Sequence, residues 1–324
     1  MGIKYLNRFL RDNCTKKSIR KTHLKQFANK TIVIDTSIYL YKFISDNALL
    51  ENMYLLISIF KTYKITPLFI FDGKPPPEKK ELLHRRKMEK REAEQKFLNM
   101  QNMLVNVKEN EKKDLLYEME QLKRKFIRVK ESDVRGVKEL MDAYGVHYYD
   151  SQSESDTVCA RLVNNGTAYA CMSDDMDMFL YGCPLVIRHL SLMNHTVVTY
   201  ETQKILSELD MTDRHFKEIM VLSGTDYNLH SNTSLTETIN WFYEYKKYHD
   251  LQTNNENKPL EFYVWLVKNT KYVGDFGKLL RTYQLFQIEN NDDLKQWDNL
   301  VIEPRDQDME KLKKIMNMEG FIFC

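Results

Sequence analysis

Three short apolar runs in this chain each stop on an aspartate: Thr31 to Ile34 before Asp35, Pro67 to Phe71 before Asp72, and Ala168 to Met172 just ahead of Ser173-Asp174-Asp175-Met176-Asp177. Each reads as a strand buried on both faces of a parallel sheet. Open α/β sheets bind ligands beyond the carboxyl ends of their strands. One strand-end aspartate is an ordinary turn former, but three predict an acidic floor. Clustered carboxylates repel, so something positive must sit among them. Glu154 and Asp156, in Ser153-Glu154-Ser155-Asp156, precede a helical segment running to about Asn164 and stopped by Gly166. Ser153 with Asp156 three residues on reads as a capping box, and acids in a first helical turn suit the macrodipole, so alone these two are capping residues. Asp226, just after Gly224, is alone a turn residue. Lys79 and Arg86 lie seven residues apart, two turns of one helix face, immediately after Asp72. There they could hold or polarise a phosphate.

These groups must be positioned by the elements between them. Residues 1–27 read as an amphipathic opening; strand 32–35 then feeds a helix from about Ser37 to Phe60, with a break near Ser45 to Asn47. After strand 67–72, Gly73-Lys74-Pro75-Pro76-Pro77 forbids continued strand and presets a helix start. Glu78 to about Val129 is almost unbroken helix former, with apolar residues at Phe97, Met100, Leu104 and Val107 and again at Leu115, Met119, Leu122 and Phe126. That pattern fits two helices with a narrow apolar stripe. So long an insertion between strands projects from the sheet, either as a solvated helical hairpin or as a gate for nucleic acid. Charge supports the gate: residues 74–130 carry 17 Lys+Arg against 10 Asp+Glu, which leaves −5 elsewhere out of a total of +2. A polyanion drawn to the first segment would need metal ions to approach the second.

Composition excludes other classes. The five cysteines form no C-x-x-C pair and the eight histidines do not gather at zinc spacing. A thiolate metal site is therefore not expected, and a reducing compartment is. No secretory apolar core opens the sequence and no apolar run approaches the roughly 20 residues that span a bilayer. The expectation is an intracellular, soluble protein.

In order along the chain, Met1-Gly2-Ile3, the Ile34-Asp35-Thr36-Ser37-Ile38-Tyr39-Leu40-Tyr41 run, Phe71-Asp72-Gly73-Lys74-Pro75-Pro76, Ser153-Glu154-Ser155-Asp156, Asp174-Asp175-Met176-Asp177 followed by Tyr181-Gly182-Cys183-Pro184, and Ser223-Gly224-Thr225-Asp226-Tyr227 resemble the successive blocks of the flap structure-specific endonucleases. The resemblance runs from residue 1 to about 227. It implies an α/β fold with a mostly parallel central sheet, a helical arch over the active site, and two Mg²⁺ ions, with Mn²⁺ able to substitute, that support phosphodiester hydrolysis near 5′ flaps and other single-strand to duplex junctions of DNA. By the same resemblance the metal-holding acids are Asp35, Asp72, Glu154, Asp156, Asp175, Asp177 and Asp226, and the cations at the scissile phosphate are Lys79 and Arg86. Tyr41 matches an aromatic on which a base stacks, although a tyrosine there could equally be core. Gly2 matches a small second residue that lets the N-terminus lie near DNA. Asp156 stands where the family usually has Glu, one methylene shorter.

Other departures concern the duplex grip. The family follows its last acid with a glycine-paired hairpin that grips duplex and a monovalent cation, whereas Asn228 to Leu235 here contains no glycine. Ser234 with Glu237 predicts a capping box at the next helix. Residues 238–324 read as an aromatic-rich helical region, and no sliding-clamp motif is found there. The expected organisation is a nuclease region over 1–73, an arch over 74–130, a second nuclease region over 131–237 and a helical region over 238–324. A compact enzyme of a large DNA virus, acting in the nucleus or at a cytoplasmic replication site, fits this economy. Against the nuclease stand a degenerate relative that binds branched DNA without cutting it, and a metal-dependent RNA nuclease or phosphatase.

Overall fold

Alternation along the central strands divides the apolar residues between two faces of one sheet. Ile32, Ile34, Phe69 and Phe71 join a cluster on one side, and Val33, Leu68 and Ile70 join a second cluster on the other. The computed structural model describes residues 3–104, 109–228, 233–254 and 259–322. In chain order the elements are α1 (Leu6–Asn13), β1 (Ile19–His23), β2 (Thr31–Asp35), α2 (Thr36–Ser45), α3 (Leu49–Thr62), β3 (Thr66–Phe71), α4 (Lys80–Met103), α5 (Glu109–Lys125), α6 (Glu131–Tyr144), β4 (His147–Asp150), α7 (Ser155–Asn164) and β5 (Ala170–Met172). There follow β6 (Leu185–Ser191), β7 (Thr196–Glu201), α8 (Thr202–Glu208), α9 (Asp213–Leu222), α10 (Leu235–Asn254), α11 (Phe262–Asn269), α12 (Phe276–Leu285) and α13 (Met309–Met318).

The seven strands run in the order β1-β7-β6-β5-β2-β3-β4. Pairings from β6 through β4 are parallel, while β6 with β7 and β7 with β1 are antiparallel. The expected mostly parallel sheet is therefore present. Its antiparallel edge is an addition, because the opening 27 residues supply a strand and not only an amphipathic helix. Ile19-Arg20-Lys21-Thr22-His23 is too polar to read as a buried strand, and its intermediate and exposed residues suit an edge.

Chain reversals fall where the sequence supplies them. The break between α2 and α3 contains Asn47 at φ 53°, α7 is followed by Gly166 at φ 81°, and α9 by Gly224 at φ 106°. The long insertion forms α4 and α5, joined by a tilted edge contact of Phe97 with Phe126 at 5.5 Å between ring centres. At its base Lys90 donates to the Ile127 carbonyl at 2.9 Å and Arg128 pairs with Glu94. Helices α10 to α12 pack on the Val33 side of the sheet, where Phe242, Phe262, Leu266 and Phe286 share the cluster of Leu6 and Phe179. The chain then crosses the β4 edge, and α13 seats Leu312, Ile315 and Met316 in the opposite cluster. Gly145 marks the crossing: a Cβ there would lie 2.4 Å from the Asp306 carbonyl oxygen.

Candidate active site

Parallel neighbours deliver their carboxyl ends to one edge, which explains why the acids of three strands meet. Asp35 is the last residue of β2, Asp72 follows β3, and Asp175 and Asp177 follow β5. Glu154 and Asp156 flank the start of α7, and Asp226 follows α9. Glycine makes one junction possible. Gly73 N–H donates to the Ser153 carbonyl at 2.6 Å, and a Cβ on Gly73 would sit 2.0 Å from the Ser151 carbonyl oxygen, so the end of β3 and the loop carrying Glu154 touch backbone to backbone.

Electrostatics ties the seven acids into one network. Burial, then Asp72 and Asp175, push the Asp35 carboxyl up to about 7, against hydrogen bonds from Ser173 and Ser155 that favour its ionised form. Burial raises Asp156 well above the usual carboxylate range, with Asp35, Asp175 and Glu154 adding to it and Lys79 opposing. Asp177 is raised in the same way by burial, by Asp175 and by Asp226. Asp72 is the outlying member, exposed to solvent. Among the described residues no three of these acids close into a ready metal cage. Several are instead turned onto hydroxyls and cations, as mutually repelling groups do.

The two sequence-predicted cations enter this network directly. Lys79 is 6% exposed and sits in a short 3₁₀ turn, Pro77–Lys79, ahead of the helix that carries Arg86. Its Nζ donates to Glu154 Oε1 at 2.6 Å and lies 4.9 Å from the centre of the Tyr227 ring. Burial works against the Lys79 charge, but Tyr227, Glu154 and Asp156 outweigh it and raise its pKa. Arg86 Nη2 donates to Asp226 Oδ2 at 2.9 Å. Tyr41 is 42% exposed with Lys90 Nζ 4.9 Å from its ring centre, and so is a surface residue and not core. It lines a cavity of about 750 Å³ with Ile38, Leu83, Arg86, Lys90 and Arg128. Gly2 and half of the glycine-free stretch, residues 229–232, lie outside the described residues.

One local expectation is corrected. Ser153 is not the cap of α7: the N-cap is Glu154, which makes no side-chain cap bond, and the first α7 amide, of Ser155, donates to Asp72 Oδ1 at 2.8 Å. A carboxylate from another strand has taken the role the capping box would have played. The second expected box is half formed, with Ser234 Oγ accepting from Glu237 N–H at 3.3 Å while Ser234 N–H donates to the Tyr272 hydroxyl.

Four residues of the site were not singled out from sequence. Ser155 Oγ bridges Asp35 and Asp72, and Ser173 Oγ donates to Asp35 Oδ2 at 2.9 Å. The Tyr227 hydroxyl donates to Glu154 Oε2 at 2.8 Å. Arg188, 5% exposed, donates to the Asp174 carbonyl at 2.7 Å and to Asn7 Oδ1 at 3.1 Å, anchoring the acidic loop to α1. For Ser155, Ser173 and Tyr227 a signal existed, since each stands inside or beside an acidic block. Nothing local marks Arg188.

The donor set is that of a hard divalent cation: carboxylate oxygens, with Asp177 Oδ1 buried and lacking a hydrogen-bond partner. Family models for the XPG N-terminal domain and the XPG I-region match residues 1–93 and 145–226. Flap endonuclease 1 of Methanococcus aeolicus is 30% identical over 245 residues, covering 71% of this chain and 70% of that protein. Flap endonuclease 1 of Saccharomyces cerevisiae is 28% identical over 246 residues, covering 70% of this chain and 61%, under two thirds, of that protein. Among solved structures, the catalytic core of Rad2 in complex with DNA substrate superposes with a TM-score of 0.67 at 20% identity, covering 99% of this chain and 95% of that one.

Proposed function

The chain belongs to the flap endonuclease family of structure-specific DNA nucleases, in which metal dependence is general, and we propose that it cleaves DNA phosphodiester bonds at 5′ flaps or related single-strand to duplex junctions with two Mg²⁺ ions. The observation that carries this reading is the convergence of Asp35, Asp72, Glu154, Asp156, Asp175, Asp177 and Asp226 on one sheet edge, with Lys79 and Arg86 inserted among them. When bound, the divalent ions supply activation of water and neutralisation of the charge developing on phosphoryl oxygens.

The protein's own residues do the rest. The acids hold the cations, Asp35 and Asp177 from buried positions and Asp72 from the solvent side. Lys79 and Arg86 reach the acidic edge as donors, so a phosphate drawn onto it meets two side chains able to exchange a carboxylate partner for a phosphoryl oxygen. Tyr41 offers an exposed ring beside Lys90 for a base of the single strand. The α4–α5 hairpin carries its positive charge near its base, at Arg85 to Arg91 and Lys123 to Lys130, where it draws the backbone toward the site. Among the described residues no helix is long and apolar enough to cross a membrane.

One assay separates the readings. The protein is incubated with Mg²⁺ and a labelled 5′ flap, a nicked duplex, a single strand, an RNA strand and a phosphomonoester. Cutting at the flap base is expected. Binding of the flap without cutting would favour a non-catalytic relative, and consumption of RNA or release of phosphate would redirect the assignment.

A further inference from the structure

We propose that Ser155 is a positioning residue for the metal-holding carboxylates, its hydroxyl and backbone N–H together setting Asp35 and Asp72 so that one divalent cation can be held between acids from different strands. The inference rests on the metal reading above.

Ser155 Oγ lies 3.0 Å from Asp35 Oδ1 and 2.8 Å from Asp72 Oδ1, and its N–H reaches the same Asp72 oxygen at 2.8 Å. The residue is 1% exposed, which leaves little room for water to take over these bonds. Ser173 Oγ holds the other oxygen of Asp35. The β2 acid is thus fixed at both oxygens, whereas Asp72 is fixed at Oδ1 and open to solvent beyond. In the chain Ser155 stands between Glu154 and Asp156. One residue therefore links four of the seven acids, two by hydrogen bonds and two by adjacency.

A structural role for the hydroxyl has little to stand on. It caps no amide of α7, where the N-cap residue is Glu154 without a side-chain cap bond. Both of its contacts are to carboxylates, buried Asp35 and exposed Asp72, whose like charges repel. A hydroxyl has one proton and can donate to only one of them at a time, which leaves the repulsion between the pair for a bound cation to offset. Partners of this kind, which orient ligating carboxylates through hydrogen bonds, carry a large share of a site's affinity.

The test compares the full chain with Ser155→Ala, using Ca²⁺ alone as the probe in calorimetric titration and thermal melting in EDTA as the control. The variant is expected to bind Ca²⁺ roughly tenfold more weakly, to melt in EDTA at the wild-type temperature, and to need correspondingly more Mg²⁺ for half-maximal cleavage. Unchanged Ca²⁺ affinity overturns the proposal, as does a lowered melting temperature in EDTA that accounts for the weaker binding. Failure of the wild type to bind any Ca²⁺ would instead remove the metal reading, and this inference with it.

Discussion

The acids differ in what holds them, and that difference decides how each responds to change. Asp175 is 8% exposed and its Oδ1 accepts from the Asp177 N–H at 3.0 Å, so it shapes its own loop as well as facing the site. Asp175→Asn and Asp72→Asn keep shape and remove charge. Each is expected to lower cleavage by at least about a thousandfold while flap binding in Ca²⁺ persists, a pattern read by comparing single-turnover rates with gel-shift affinity. Wild-type cutting by either variant would sink the assignment. Asp35 gives a pH signature. Its folded pKa, about 7, lies above the unfolded value, so its contribution to stability is fully present below about pH 4 and is lost as pH rises through 7. In EDTA the melting temperature of the wild type should therefore fall relative to that of Asp35→Asn between those values, and a rise would refute the burial argument. The acids themselves were legible in sequence because strand ends and motif order mark them. The serines were not, because a hydroxyl's role depends on which strand lies beside it.

At the scale of elements, the site depends on junctions between neighbours. The contact of Gly73 with Ser151 and Ser153 is tighter than any side chain allows. Gly73→Ala must push the loop bearing Glu154 away from β3 and with it the Lys79 partner. The expected result is a loss of about a hundredfold in kcat, the scale of an ångström's misplacement, with a far smaller loss of DNA affinity; equal losses in both would point to general unfolding. The helical hairpin of α4 and α5 could be read in sequence from unbroken helix formers and two apolar stripes. The start of α7 was misread because Asp72, distant in sequence, supplies the oxygen that a local capping box would have supplied. Likewise β1 escaped notice, since an edge strand one residue from solvent has no need of an apolar run.

Across the whole molecule, two apolar layers sandwich the sheet, and the chain visits both. The layer on the Val33 side takes α10 to α12, and the other is completed by α13 after the chain passes Gly145. Arg161 fastens this path on the way, with Nε and Nη2 each 2.6 Å from an Asp298 carboxylate oxygen. Sequence showed an aromatic-rich helical region but not that it divides across the sheet, because which face a helix covers is set by the path of the chain and not by its composition. Removing residues 309–324 leaves every acid and both site cations in place. It nevertheless uncovers the flank of α6 that Leu312, Ile315 and Met316 bury. Such a protein is expected to melt well below the wild type and to lose cleavage in proportion to the fraction folded, measured by circular dichroism and the flap assay together. A truncated protein that melts at the wild-type temperature would overturn this. The same crossing has a consequence during synthesis. By the time Asp226 leaves the ribosome all seven acids exist, yet each side of their scaffold still waits for part of its cover, α10 to α12 on one and α13 on the other. The order of the chain therefore sets all of the acids ahead of the helices whose packing steadies them.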